Sequence, residues 1–298
     1  MIRAQAPPAG AGMPASLPAD AGHLTDASHF RGAAEGLLFP ESEAEIARLL
    51  QESVRRKIPV TVSGAGTGLT GARVPQGGLL LCTERLNKIL EVRADGTSVV
   101  QPGVPLEQLE RALDQKGFLY PPDPGEKQAF VGGTVATNAS GARSFKYGAT
   151  RAWVRRLRVV LPNGDLLEVR RGDEKAGADG FWIQLSDGKR LRIPVPLRPM
   201  PAVKKNAAGY CAGPGTDLID LFIGSEGTLG VFTEIENPPD GPMRTISSPI
   251  NIDGVEKVRP RMAPAVGEHS VEILREIGYT EEAIAELQRQ RVIMAVRA

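Results

Sequence analysis

The residues best suited to chemistry are the glycines and hydroxyls of 63–71, which read Ser-Gly-Ala-Gly-Thr-Gly-Leu-Thr-Gly and are called the glycine-rich loop below. Positions without a side chain allow backbone N–H groups to turn inward and surround an anion. Ser63, Thr67 and Thr70 add hydroxyl donors. The loop therefore predicts a binding site for a phosphate or a pyrophosphate, and a glycine-rich surface loop without a ligand is the alternative interpretation.

The spacing Gly66-x-Gly68-x-x-Gly71 also fits the fingerprint of the Rossmann dinucleotide-binding fold. That fold requires a helix to begin at the loop, so that the helix N-terminus meets the pyrophosphate. Here a proline and two glycines occupy 75–78, and an apolar run typical of a buried strand follows at 79–82. No crossover helix fits between them, which argues against the Rossmann fold.

Two further stretches have the composition of a ligand site. Almost every residue of 130–143 is small, and close approach of the backbone to a flat ligand favours glycines more than the interior of a packed helix does. Tight packing of a helix on a sheet is the alternative interpretation of this small-residue stretch. A glycine-rich turn at 224–230 follows an apolar run at 218–223.

Hydrophobic periodicity and turn signals predict the elements that position these stretches. Ser42 is a suitable N-cap for a helix that ends at 55–57, and a second helix is predicted at 106–116. Asn163-Gly164 and Asp187-Gly188 are hairpin turn signals. The predicted strands are 37–40, 58–62, 79–83, 89–93, 98–101, 154–161, 165–170, 182–185, 190–193 and 231–235.

Composition restricts the possible classes of function. The chain has 298 residues, 41% of them hydrophobic, and a formal net charge of +1, which indicates neither a nucleic-acid-binding surface nor a polybasic membrane patch. No apolar run is long enough for a transmembrane helix, and the two cysteines have no metal-ligand spacing. Residues 1–22 lack the apolar core of a signal peptide. We therefore expect a flexible leader at 1–30 and a cytoplasmic location.

Taken together, 63–72, 131–150 and 221–235 resemble the FAD-binding domain of the FAD-linked oxidases, which has the PCMH-type fold of vanillyl-alcohol oxidase. The most similar branch contains glycolate oxidase flavoprotein subunits and D-lactate dehydrogenases, and Asn-Ala-Ala-Gly-Tyr at 206–210 also resembles it. The resemblance implies an α+β domain at 31–236, made of two α/β subdomains with FAD between them.

The resemblance also implies which residues bind FAD. The glycine-rich loop would hold the pyrophosphate, the small-residue stretch would line the flavin ring and ribityl chain, and the 224–230 turn would form a further wall. Arg73 and Arg143 could add positive charge, although a surface role is equally expected for Arg73 and Lys146. The implied cofactor residues are Ser63, Gly64, Ala65, Gly66, Thr67, Gly68, Leu69, Thr70, Gly71, Pro122, Asp123, Gly132, Gly133, Thr134, Thr137, Asn138, Gly141, Ala142, Tyr147, Gly148, Glu226, Gly227 and Ile235.

The implied activity is that of an FAD-dependent oxidoreductase acting on a small 2-hydroxy acid such as D-lactate or glycolate, with an electron-acceptor partner. Some relatives attach the flavin covalently to a histidine. His23, His29 and His269 lie outside the three stretches, which predicts noncovalent FAD. No catalytic residue and no metal ligand is assigned. A flavin-binding remnant or subunit without its own turnover is the alternative.

The sequence departs from this family at 237–298. Enzymes of the branch continue into a cap domain that supplies the substrate groups, whereas here a proline-rich break precedes a short tail with two predicted helices. We therefore expect that the cap domain is missing and that a partner chain could supply the substrate site. Residues 247–294 resemble the C-terminus of family III CoA-transferases without the catalytic region of that family, so a CoA-transferase relative is the weakest alternative.

Overall fold

The computed structural model describes residues 2–7, 16–195, 206, 209–238, 267 and 269–293. The chain divides into two units, Met1–Pro242 and Met243–Ala298. All three stretches that resemble an FAD-binding domain lie in the first unit. Among the described residues, no helix is long and apolar enough to cross a lipid bilayer.

The elements of the first unit follow the predicted order closely. Its described strands are β1 (Ile2–Arg3), β2 (Gly36–Leu38), β3 (Val60–Ser63), β4 (Leu79–Cys82), β5 (Ile89–Val92), β6 (Ser98–Val100), β7 (Arg156–Val160), β8 (Leu166–Arg170), β9 (Phe181–Gln184), β10 (Arg190–Ile193) and β11 (Val231–Asn237). Its described helices are α1 (Glu43–Arg56), α2 (Leu106–Asp114), α3 (Val131–Ala136), α4 (Ser144–Tyr147), a 3-10 turn (Thr150–Trp153) and α5 (Leu218–Phe222).

A small parallel sheet carries the glycine-rich loop. Its strand order is β2-β4-β3, and the loop leaves the carboxyl end of β3. Parallel neighbours need a crossover connection, which α1 provides between β2 and β3. Ser42 accepts a hydrogen bond from the Glu45 backbone N–H at 3.3 Å, which confirms the predicted N-cap. On its inner face α1 buries Ile46 and Leu49 completely.

An antiparallel sheet of order β5-β6-β11-β7-β8 carries the turn at 224–230, because that turn leads directly into the central strand β11. The Asn163-Gly164 turn joins β7 and β8, as predicted, with Val160 paired to Leu166. Helix α1 also packs against this sheet, since Leu49, Val160 and Val231 share one hydrophobic cluster. The two sheets are therefore connected through one helix, and the α+β class is confirmed.

The described part of 1–30 contradicts the prediction of a flexible leader. Ile2 pairs with Ile183 in a third sheet of order β1-β9-β10, and Leu17 forms a bridge with Leu37. The Arg73 guanidinium donates to the carbonyls of Gly22 and Thr25. The composition of the segment shows only that it cannot form a core of its own. Main-chain pairing with distant residues orders it instead.

Two stretches for which the sequence predicted no helix contain short helices. The small-residue stretch includes α3, although its glycines argued against a helix, and the apolar run at 218–223 forms α5. A Cβ placed on Gly132 would lie 2.5 Å from the Cβ of Pro102. Glycine therefore lets α3 approach Pro102 closely, while Val131 and Val135 on the same helix are fully buried. This packing outweighs the low helix propensity of glycine.

The second unit is described by itself. It contains α6 (Ser270–Glu276) and α7 (Glu281–Arg289), which confirm the predicted helix pair. The Thr280 hydroxyl accepts a hydrogen bond from the Ala283 N–H at 3.3 Å, as expected for an N-cap. The predicted basic loop at 192–205 and the segment 239–266 lie largely outside the described residues. The resemblance of 247–294 to CoA-transferases stays a prediction.

Candidate functional site

A cavity of about 620 Å³ lies between the glycine-rich loop, helix α3 and the turn at 224–230. This volume is in the usual range of roughly 300–1,000 Å³ for small-molecule and cofactor sites. The structure thus brings the three predicted stretches together around one space. The predicted residues that line it are Gly64, Ala65, Gly66, Thr67, Gly68, Leu69, Thr70, Gly132, Gly133, Thr134, Thr137, Asn138, Glu226 and Gly227.

The glycine-rich loop forms the first wall and presents unpaired backbone donors. No backbone N–H of 64–70 donates to another described residue of the protein. Residues 64–68 are half-buried and 69–70 are exposed, so water or a ligand can satisfy these donors. A run of such donors along a cavity is therefore well suited to bind an anion through the main chain.

Two glycines of the loop differ in whether the fold itself requires a residue without a side chain. Gly66 has a φ of +80°, a conformation that residues with a side chain rarely adopt, so the backbone itself favours glycine there. At Gly64 the nearest protein atom to a Cβ placed there is 3.9 Å away. The fold would thus admit a side chain at Gly64, and the bare surface there faces the cavity.

Helix α3 forms the second wall. Gly132 is required by its contact with Pro102, but a Cβ placed on Gly133 would have no protein atom within 4 Å. Gly133 therefore leaves an open, flat patch of backbone on the cavity side. The Thr137 hydroxyl donates to the Gly133 carbonyl at 2.9 Å and the Thr134 hydroxyl to the Val131 carbonyl at 2.8 Å. Both hydroxyl protons are engaged within the helix, so these oxygens face a ligand only as acceptors.

The turn at 224–230 forms the third wall and is anchored to α3. The Glu226 N–H donates to the Ala136 carbonyl at 2.9 Å, and Glu226 adopts a left-handed conformation with φ of +51°. The Thr70 hydroxyl donates to Glu226 Oε2 at 3.4 Å, which joins the first and third walls. The Glu226 side chain therefore lines the cavity beside Thr70 of the loop.

Several residues that the resemblance implied do not line this cavity. Ile235 is fully buried in β11, where it pairs with Val100 and Leu157 in the core. The Asp123 carboxylate contacts Lys127 Nζ at 2.6 Å and Arg143 Nε at 3.3 Å. The complete set outside the lining is Ser63, Gly71, Pro122, Asp123, Gly141, Ala142, Tyr147, Gly148 and Ile235.

Contacts within the protein account for other members of that set. A Cβ placed on Gly141 would lie 1.7 Å from the Asp123 carbonyl oxygen, so glycine is needed there for packing. The Gly71 N–H donates to Asp26 Oδ2 at 3.0 Å, and the Tyr147 carbonyl accepts from Trp153 Nε1 at 2.9 Å. These residues support the cavity walls, and a direct ligand role for them stays a prediction.

Sequence analysis missed several lining residues, of which Asp26 is the least expected because it lies in the segment interpreted as a leader. Pro102 and Pro124–Glu126 lie in proline-containing loops. The available signal for them was that these loops belong to the connection between two candidate stretches, 63–71 and 130–143. The lining residues not predicted are Asp26, Val62, Ala72, Thr83, Pro102, Pro124, Gly125, Glu126, Ala129, Phe130, Ala136, Ala139, Ser140, Gly230 and Phe232, and Arg73 was named only as a possible charge.

The charges around the cavity do not favour an anion by themselves. Among the described lining residues the ionisable side chains are Asp26, Arg73, Glu126 and Glu226. Arg73 donates to three backbone carbonyls, and burial lowers the pKa of its guanidinium. The attraction for an anion must therefore come mainly from the backbone N–H groups of the loop.

Comparison with known proteins gives this cavity a chemical context. Residues 34–170 match the family model described as FAD binding domain. The chain is 40% identical over 203 residues to a D-lactate dehydrogenase of Anaerostipes hadrus, an alignment that covers 67% of this chain and 35% of the relative. It is 36% identical over 203 residues to glycolate oxidase subunit GlcD of Bacillus subtilis, an alignment that covers 67% of this chain and 36% of that relative. The chain thus spans about a third of the length of these curated relatives.

Solved structures agree with these matches. An alkyldihydroxyacetonephosphate synthase is similar with a TM-score of 0.52 and 25% identity, covering 70% of this chain and 35% of that protein. A chitooligosaccharide oxidase shares the fold with a TM-score of 0.53 and 16% identity, and the match covers 74% of this chain and 38% of that protein. The predicted resemblance and FAD as the cofactor are confirmed. The residues fit FAD, because the loop offers free N–H groups to a pyrophosphate and Gly133 leaves room for a flat group.

The open surface at Gly133 leads to a first prediction. Gly133→Ala and Gly133→Val should fold normally, because no protein atom occupies the added space and alanine is a better helix former than glycine. Both should weaken FAD binding, valine more than alanine, because the side chain enters the cavity. Flavin titration and thermal unfolding of the FAD-free protein measure the two effects. Unchanged FAD affinity in both variants would contradict the assignment of α3 as a cavity wall.

A second prediction concerns the Cys82 thiol in β4, which pairs with Ser63 at the start of the loop. Burial raises the pKa of Cys82 to about 12. The unfolded thiol releases its proton near pH 9, so its contribution to stability is complete below that pH and is lost as pH rises toward 12. Urea unfolding at pH 8 and pH 11 should show a larger loss in the free energy of unfolding for the wild type than for Cys82→Ala. Equal losses in the two proteins would contradict this prediction.

Proposed function

We propose that the cavity of this chain binds FAD noncovalently for the oxidation of a small 2-hydroxy acid, on the premise that residues 34–170, which match the FAD binding domain model, hold the cofactor. The observation that carries the proposal is the run of unpaired N–H groups at 64–70 along the cavity. Relatives named D-lactate dehydrogenase, glycolate oxidase subunit and D-2-hydroxyglutarate dehydrogenase support the substrate class.

Each wall has a distinct role in this proposal. The N–H groups of the glycine-rich loop bind the pyrophosphate, and the bare backbone around Gly133 contacts the flat part of the cofactor. The Glu226 carboxylate is an acceptor, so it suits a hydroxyl of the cofactor rather than a phosphate. Asp123 and Gly141 keep the wall at 124–126 in place, because Gly141 packs directly against the Asp123 carbonyl.

When bound, FAD supplies the acceptor for hydride from the substrate carbon. The chain must then hold the substrate carboxylate and take the hydroxyl proton. Among the described lining residues, the one cation is Arg73, which is already engaged with three carbonyls. No histidine is among them. We therefore propose that the groups that bind the 2-hydroxy acid lie outside the described lining.

The described lining, with one engaged cation and no histidine, also favours a second candidate function, a flavin-binding subunit that has no turnover of its own. One relative is named as a subunit, glycolate oxidase subunit GlcD. In that case a partner chain would supply the carboxylate clamp and the base. The two candidates share the FAD site and differ only in where the substrate is held.

Noncovalent binding is tested by acid precipitation of the protein after incubation with FAD. We expect a yellow protein that releases its flavin into the supernatant, because neither His23 nor His29 lines the cavity. Heat or acid breaks the contacts to the backbone N–H groups but does not break a covalent bond to a side chain. Flavin that stays in the pellet would contradict noncovalent binding, and a colourless protein would contradict the FAD site.

Dye reduction separates the two candidate functions. With FAD and D-lactate, L-lactate, glycolate or D-2-hydroxyglutarate, we expect little turnover by this chain, because its described cavity offers no free cation to a substrate carboxylate. FAD binding without turnover supports the subunit function. Saturable and enantioselective turnover at about 1 per second or faster, an ordinary enzyme rate, would instead support a complete dehydrogenase and would refute our placement of the substrate groups.

A further inference from the structure

We propose that residues 22–30, called the strap below, hold the glycine-rich loop in the conformation that receives the FAD pyrophosphate, with Asp26 and Arg73 as positioning residues. The inference rests on the proposed FAD site. The strap precedes the first strand of the parallel sheet and lies against the loop 40 or so residues later in the chain. Its contacts reach the beginning, the middle and the end of the loop.

Arg73 joins the strap to the beginning of the loop. Its Nη1 donates to the Gly64 carbonyl at 2.8 Å, its Nε to the Thr25 carbonyl at 2.8 Å and its Nη2 to the Gly22 carbonyl at 2.6 Å. The guanidinium also occupies the space next to Gly66. A planar group with donors in a rigid fork can serve three carbonyls at once, which a lysine cannot do with the same geometry.

Asp26 joins the strap to the end of the loop. Its side chain is only 7% exposed. Its Oδ2 accepts from the Gly71 N–H at 3.0 Å, and its Oδ1 accepts from the Ser28 N–H at 2.9 Å and from the Ser28 hydroxyl. In the middle of the loop, the Ala27 N–H donates to the Gly66 carbonyl at 3.1 Å.

These contacts orient the donors that remain free. In a trans peptide the carbonyl and the following N–H point in opposite directions, because the peptide unit is planar. Arg73 holds the Gly64 carbonyl toward the strap, so the Ala65 N–H points away from it. Ala27 holds the Gly66 carbonyl in the same way, so the Thr67 N–H points away as well. The strap thus sets the direction of two N–H groups along the cavity.

The strap acts through geometry rather than through its charge. The Asp26 carboxylate alone would repel a pyrophosphate, but the positive charge of Arg73 lies close enough to interact with it. Asparagine at position 26 removes the negative charge and keeps one acceptor oxygen, which can serve the Gly71 N–H or the Ser28 N–H but not both. Alanine removes the acceptor as well. Comparison of these two variants therefore separates the positioning contact from the electrostatic effect.

The experiment measures the dissociation constant of FAD and, in the FAD-free protein, the hydrogen exchange of the Ala27 N–H, which donates to the Gly66 carbonyl and so reports the contact between strap and loop. Asp26→Ala should weaken FAD binding about tenfold or more, the typical contribution of a hydrogen bond to a charged group, and should speed exchange of the Ala27 N–H. Asp26→Asn should bind FAD more tightly than Asp26→Ala, because it keeps one of the two acceptors. Arg73→Lys should behave like Asp26→Ala, and it tests the proposal if Asp26→Ala does not fold.

Matched controls lie elsewhere in the first unit. Asp165 is 4% exposed and accepts from the Ser186 N–H at 2.8 Å and the Ser186 hydroxyl at 2.5 Å, so it resembles Asp26 but does not line the cavity. Arg171 resembles Arg73 in donating to backbone carbonyls, which here belong to Val154 and Arg151. Asp165→Ala and Arg171→Lys should leave FAD affinity and exchange of the Ala27 N–H unchanged.

Wild-type affinity in both Asp26→Ala and Arg73→Lys would overturn the proposal. So would an equal loss in Asp165→Ala, because general destabilisation would then explain the effect, or equal losses in Asp26→Asn and Asp26→Ala. A wild-type protein that binds no FAD would refute the proposed function instead. In that case exchange of the Ala27 N–H in the FAD-free variants still decides whether the strap holds the loop: faster exchange in Asp26→Ala than in Asp165→Ala supports it, and equal exchange refutes it.

Discussion

The unpaired backbone N–H groups of 64–70 are the constraint on which the rest of this domain depends. Residues 64–68 are half-buried and 69–70 are exposed, so their donors are open to water or to a ligand. The parallel sheet fixes the start of the loop, and Arg73 holds the Gly64 carbonyl. The surrounding structure therefore keeps the donors in place for a ligand to satisfy.

The glycines around the cavity divide into two physical kinds. Gly132 and Gly141 are glycine because backbone atoms of the protein occupy the space of a side chain, and Gly66 because of its positive φ. Gly64 and Gly133 have that space free and border the cavity, so on our proposal their bare backbone serves the ligand. Both kinds look the same in the sequence. This is why composition predicted the stretches that line the site but could not separate the residues that face a ligand from those that face the protein.

Local signals predicted local structure well. The Ser42 cap and the Asn163-Gly164 turn each depend on a few neighbouring residues, and the structure contains both. Contacts between distant residues were not predictable in this way. Asp26 meets Gly71 across 45 positions, and nothing in the sequence around Asp26 indicates that partner. Ile235 was assigned from resemblance alone, whereas its buried place in the central strand follows from pairing on both sides.

An anion site made of main-chain donors differs from one made of basic side chains. The described lining holds three carboxylates and one engaged guanidinium, so its side-chain charge opposes a pyrophosphate. Affinity must then come from aligned N–H groups, whose direction is set by the peptide planes and not by the identity of the loop side chains. On our proposal, the residues that matter most for binding are therefore those that hold the loop carbonyls from outside. Arg73 and Ala27 do so here, and neither belongs to the glycine motif that first indicated the site.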